Sequence, residues 1–315
     1  MPPGPDDESR MMSQKLAEVL TLTVAQRPGP DRITYRGTID PVFTIGPKVH
    51  GGSLQMVVAH AARLALRDLV EPATDGGNPG IVDGQIPVAI SSDFLAAPDA
   101  AEVDFEVTLR KRGRTVTVLT VDAVQNGRTT VSSSVTCARP DTGAPHHSAP
   151  SVLWNTDPEP PPTGLALDDS PIAAFNHLGP ALDLVLDADT LPAVRGEIGD
   201  PVVRGWARPK GAVPDIDFAV LVCDISPPVV MNLALYGWAP TVQLTTYVRR
   251  HPAPGWLRFA ATSIEVGPGM FEEDHLVVDS TGTVVAQSRQ LALIPQRTPA
   301  ATPSAATPSE EGNHS

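Results

Sequence analysis

The chain has 315 residues, a net charge of −13, and 41% hydrophobic but only 4% aromatic residues. That is enough for one large or two medium domains with an aliphatic core of Val, Leu, Ala and Ile. The acidic balance argues against nucleic acid or an anionic membrane as partner, and two distant cysteines, Cys137 and Cys223, fit a reduced, cytoplasmic protein rather than a disulfide framework.

In chain order, residues 1–10 carry acidic side chains and no apolar stretch, so they read as a flexible tail and not as a signal peptide. Residues 11–25 predict a short amphipathic helix, broken by Arg27-Pro28-Gly29-Pro30. Arg32–Asp40 alternates as a strand. Gly46-Pro47 then turns the chain into the stretch that organises it, His50-Gly51-Gly52-Ser53 and the run to Leu69. There Leu54, Val57, Val58, Ala61, Ala65 and Leu69 fall on one helical face, and Met56, Ala59, Ala62, Leu64 and Leu66 widen it. A helix apolar most of the way round is a core helix. Ser53 is the expected N-cap. Gly51-Gly52 reads either as a tight strand-to-helix turn or as a source of free N–H groups for an anion or oxyanion.

After a loop over 71–85 the period changes to that of strands. Pro87–Leu95, Glu102–Lys111, Arg114–Gln125 and Arg128–Ala138 form a meander, with Asn126-Gly127 as a type I′ hairpin turn. Residues 139–163 are rich in proline and poor in pattern, as in a linker. His146-His147 within them has no spaced Cys or acidic partner, so no metal site is read there. The second half repeats the first. Thr241–Pro252 overlays Pro87–Pro98 and Thr281-Gly282 overlays Asn126-Gly127, with offsets of 247 − 93 = 154 and 282 − 127 = 155. Pro214–Ile225 sits where a second core helix belongs, closed by Pro227-Pro228. The most apolar run, Phe218–Cys223, stops at Asp224, short of the ~20 residues of a membrane span. Residues 297–315 are low in complexity and read as a disordered tail.

Two copies of a helix with an antiparallel sheet make an α+β pseudo-dimer. This duplicated arrangement resembles the double hotdog fold of the type II acyl-CoA thioesterases and their actinobacterial thioesterase-like relatives. The segments carrying the resemblance are HGGSLQMVVAHAARLAL (50–66), ISSDFLAAP (90–98), EVTLRKRGRTVTVLTVDAVQNGR (106–128), PTVQLTTYVRRHP (240–252) and VVAQSRQLAL (284–293). It implies an N-terminal hotdog over 11–140, a linker over 141–170 and a C-terminal hotdog over 171–296. It also implies acyl-CoA as substrate, hydrolysis by direct water attack to free fatty acid and CoA, and no cofactor.

The family holds its water with an Asp, a Ser or Thr, and a Gln, all from the second half. Carried over, the Gln falls on Gln290. The Asp falls on Gln243, a departure, because an amide orients water but takes no proton near neutral pH. The Ser or Thr falls on Ile264, or on Ser263 if the register slips, and Glu265 would then share the inward face with Ser263. The expected catalytic set is Gln243, Ser263 and Gln290, with Gly51 and Gly52 as oxyanion donors. Arg110, Arg112 and Arg114, with Lys111 and with His50 at the strand end, are the expected substrate-binding set. The basic cluster equally reads as solvated hairpin-edge charge. Arg249-Arg250 is a weaker second cluster. Asp40 and His50 do not fit the compact Asp–His pattern of hotdog hydratases. The competing reading is an acyl-CoA-binding or lipid-binding protein that has lost hydrolysis, favoured by Gln243; a scaffold role would bind no acyl-CoA. Oligomeric state is left open, since hotdog sheets commonly associate into homo-oligomers.

Overall fold

A computed structural model of the chain describes residues 14–70 and 84–295. The tails expected over 1–10 and 297–315, and nearly all of the 71–85 loop, lie outside the described residues.

The first half opens with helix α1 (Gln14–Val19) and strands β1 (Thr23–Gly29) and β2 (Arg32–Thr38). The expected helix over 11–25 therefore ends early. Thr21, Thr23 and Val24 are β-branched and favour a strand, and Pro28 is tolerated because β1 is an edge. A two-strand pair, β3 (Thr44–Ile45) and β4 (Lys48–Val49), leads into helix α2 (Gly51–Ala65), which ends in a π turn over Leu66–Val70. Strands β5 (Ile86–Phe94), β6 (Glu102–Lys111), β7 (Val116–Gln125) and β8 (Arg128–Ala138) wrap it. Asn126 and Gly127 have φ of 53° and 73°, as a type I′ turn demands.

The second half supplies β9 (Leu165–Ala166), β10 (Leu182–Leu186), β11 (Val202–Pro209), helix α3 (Ile216–Val222), β12 (Thr241–Val248), β13 (Leu257–Thr262), β14 (Met270–Val278) and β15 (Val284–Leu293). All strands except β3 and β4 form one 13-stranded sheet, in the order β1-β2-β6-β7-β8-β5-β12-β15-β14-β13-β11-β10-β9. The segment before β9 is packed: Leu153 is buried against Ala260 and Val278, and Trp206 Nε1 donates to the Asp157 carbonyl at 2.9 Å.

The halves join where β5 pairs antiparallel with β12. Ser91 faces Thr245 in this register, and their hydroxyls are 2.9 Å apart. Since 245 − 91 = 154, each of these residues is the repeat partner of the other, so the pseudo-twofold axis passes between them. Helices α2 and α3 pack on each other inside the continuous sheet. Among the described residues no helix is long and apolar enough to cross a membrane.

Candidate active site

The site is built where the end of α3 meets the start of α2. His50 caps α2: its Nδ1 accepts the Ser53 N–H at 3.2 Å and lies 2.9 Å from Ser53 Oγ. The cap expected at Ser53 is thus one turn earlier, because an extended residue must precede the helix and the imidazole serves as the acceptor. With Nδ1 accepting, Nε2–H donates to the Asp224 carbonyl at 2.7 Å, which fixes one neutral tautomer.

Asp224 follows α3. The apolar run that buries every residue of α3 carries this carboxylate into the interior with it. Its Oδ2 accepts the Gly52 N–H at 2.7 Å and lies 3.6 Å from His50 Nε2. Burial pushes the Asp224 carboxyl above the ordinary range, while His50 and the Gly52 N–H act in the opposite direction. The double glycine permits the contact. A Cβ on Gly52 would lie 2.8 Å from both Asp224 Cβ and the Leu221 carbonyl. The Gly51 N–H has no protein acceptor among the described residues, at the positive end of the helix dipole.

A third side of the site comes from the neighbouring strands. Strand β12 carries a bulge between Thr241 and Gln243, so that Thr241 turns toward β15. The Thr241 hydroxyl donates to Gln290 Oε1 at 2.9 Å. Gln290 is 8% exposed.

These groups line one cavity of about 700 Å³, within the ~300–1,000 Å³ of small-molecule sites. Its polar edge is His50, Gly51, Asp224, Ser226, Thr241 and Gln290, and most of its wall is apolar, including Phe94, Ile172, Phe175, Met231, Trp238 and Phe271. Among the described residues Asp224 is the only acid in the lining, and none of those lining it is Lys or Arg. A buried carboxylate, an ordered hydroxyl–amide pair and an unengaged helix N–H can together hold a water and a polarised carbonyl.

Of the residues expected from sequence, His50, Gly51 and Gln290 meet at this cavity, with Gly52 directly behind it. Gln243 does not: it is exposed and donates to Asp93 Oδ1 at 2.8 Å. The bulge in β12 turns Gln243 outward, while Leu244 and Thr246 face in. Ser263 is also away from the cavity. Strand β13 ends at Thr262, Ser263 Oγ bonds the Glu265 carbonyl at 3.3 Å, and Ile264 is 86% exposed. Arg110, Arg112 and Arg114 lie toward the other end of α2. Arg112 donates to the Leu69 carbonyl at 2.7 Å, where a cation complements the helix dipole; α2 runs ~22 Å from there to the cavity. Asp224 and Thr241 were the residues sequence reasoning missed. The one signal for Asp224 was an acid placed directly at the end of the most apolar run.

The fold and site define a double hotdog with a cavity at its helix junction. The chain belongs to the acyl-CoA thioesterase family: residues 38–138 match the acyl-CoA thioesterase N-terminal domain and residues 140–294 the C-terminal domain. An uncharacterized protein of Mycobacterium tuberculosis is 39% identical over 88% of this chain and 98% of its own length. A candidate thioesterase II of Thermobifida fusca superposes with a TM-score of 0.71 at 28% identity, covering 90% of this chain and 98% of that one. A hot dog protein of unknown function from Alicyclobacillus acidocaldarius gives 0.71 at 18% identity, over 90% and 99%. An acyl-CoA thioesterase II from Mycobacterium marinum gives 0.59 at 18% identity, over 93% and 99%; at that identity these two likenesses concern the fold.

Proposed function

We propose that the protein hydrolyses acyl-CoA thioesters by direct water attack, releasing a fatty acid and CoA. Asp224 is the base and water-holding carboxylate, Thr241 and Gln290 orient the water, and the Gly51 N–H receives the developing oxyanion. The acyl chain occupies the apolar cavity, and the charged nucleotide end of CoA stays outside a wall whose described residues offer it no cation. The observation that carries this reading is the buried Asp224 carboxylate facing the same cavity as the Thr241–Gln290 pair. It supplies the Asp, Thr and Gln that the resemblance calls for, so the outward Gln243 no longer argues for a protein that has lost hydrolysis.

The test is free-thiol release from short, medium and long acyl-CoAs, with binding followed in parallel. Asp224→Asn should lower kcat by ~10²–10⁴, the usual contribution of a general base, and leave acyl-CoA binding intact. Binding without turnover by the natural protein would instead support an acyl-CoA-binding role.

A further inference from the structure

Strand β14 turns Phe271, Glu273, His275 and Val277 inward. An acid and a histidine in a core-facing row need partners, and Glu273 has them on both oxygens. Its Oε1 accepts the Ser226 hydroxyl at 2.9 Å and the Gln290 Nε2–H at 3.4 Å; its Oε2 accepts the Val229 N–H at 2.9 Å. Ser226 Oγ also lies 3.1 Å from His275 Nε2. The serine hydroxyl spends its one proton on Glu273, so His275 donates Nε2–H to it. His275 Nδ1 is then a bare acceptor, in keeping with its having no hydrogen-bond partner. Glu273 sits directly opposite Gln290 in the β14–β15 register. It does not line the cavity, whereas Ser226 and Gln290 do.

We propose that Glu273 is a positioning residue, whose carboxylate selects the orientation of the Gln290 amide that turns Oε1 to Thr241 and the cavity. An ionised carboxylate only accepts. The flipped amide would set Gln290 Oε1 against Glu273 Oε1, two acceptors in contact, and would turn Nε2 to Thr241. A protonated Glu273 gains an O–H and tolerates both orientations. The order of the Thr241–Gln290 pair therefore depends on the charge of a group behind the cavity wall. The charged and titratable groups around Glu273 are Asp224 and His275 and, acting on His275, Asp274 and His50. Burial, together with the charge of Asp224, pushes Glu273 up to about 7, and burial pushes His275 down to about 3.

This inference rests on the thioesterase reading for its catalytic consequence, but it can be checked without turnover. The Gln290 side-chain amide of the full chain, identified by its loss in Gln290→Ala, is followed by ¹H–¹⁵N NMR across neutral pH. It should titrate with a midpoint near 7, still titrate in Asp224→Asn but at a lower pH, because the charge that helps raise Glu273 is gone, and lose the titration in Glu273→Gln. In thiol release, Glu273→Gln should lower kcat roughly 10–100-fold, as misplacement of a water-holding group does, with KM little changed and the acid limb near neutrality gone. A flat Gln290 signal in the natural protein, or one unchanged by Glu273→Gln, overturns the proposal, and the first of these requires only Gln290→Ala, the variant used for assignment, to fold. Absence of thiol release from the natural protein would overturn the hydrolytic reading and leave the NMR result to decide on Glu273.

Discussion

Gln243 and Asp93 hold one another on the solvent side of the sheet, across the same strand pair that carries the pseudo-twofold axis. A carboxylate put at position 243 would therefore face water and Asp93. Gln243→Asp should give no gain in thiol release and, by setting like charges opposite each other, lower stability by ~0.5 kcal/mol. A gain in turnover would relocate the site. Inside, Glu273 and His275 oppose one another in their pH dependence. The carboxyl of Glu273 is raised from 4.5 to about 7, so the folded state binds its proton more tightly than the unfolded chain, and stability falls as pH rises through that window. His275 is lowered from 6.5 to about 3, so the unfolded chain binds the extra proton, and stability rises with pH between those values. Glu273→Gln removes only the first slope. Relative to the natural protein it should gain up to roughly 3 kcal/mol between pH 4.5 and 7, read as the difference in chemical denaturation midpoints at the two ends.

Among the elements, α2 is fastened to the strand junction of the two halves by the side chain of Gln55. Gln55 is buried, and its Nε2 donates to Ser92 Oγ and to the Leu244 carbonyl, each at 3.0 Å, while its Oε1 accepts the Thr246 hydroxyl at 2.6 Å. Ser92 lies on β5, and Leu244 and Thr246 lie on β12, so one amide fastens both strands of the junction to the helix. Gln55→Leu fills the space but leaves these groups short of a partner, and should cost roughly 2–3 kcal/mol, seen as a drop in the denaturation midpoint. No loss would mean that the sheet hydrogen bonds alone hold the junction. The start of α2 shows why its glycines are small. The sequence left a plain turn and an N–H donor site as alternatives, and the structure uses the pair for close approach of α3, with the Gly52 N–H engaged by Asp224.

At the scale of the whole molecule the duplication is not symmetric in use. The two helices meet at two places. At one, Asp224 reaches Gly52 and a cavity opens. At the other, Asp217 in α3 is fully buried and pairs with His60 Nδ1 at 2.8 Å and with Arg63. Asp217→Ala should destabilise by roughly 2 kcal/mol, less than the ~3–5 of a fully buried pair because Arg63 is 40% exposed. Hydrolysis at a temperature where the variant is folded should be unchanged. A loss of turnover in the folded variant would show that this junction also serves the reaction.

The repeat at an offset of 154, the alternating strands and the buried core helix are local or periodic properties, and a side chain's face follows from its spacing wherever the element is regular. They sufficed for two packed helix-and-sheet halves, and the return strand brought Gln290 to the cavity. The remainder of the site depended on irregular points that spacing does not encode. One bulge in β12 exchanged Gln243 for Thr241, the early end of β13 sent Ser263 outward, and the close contact of two helix ends brought Asp224 to Gly52 across 172 residues. A bulge resets every face beyond it, and which carboxylate a helix end buries is decided by what packs against it. The length, the charge and both core helices could be read along the chain; the base, its hydroxyl partner and the acid behind Gln290 exist as a site only once the two halves have closed on each other.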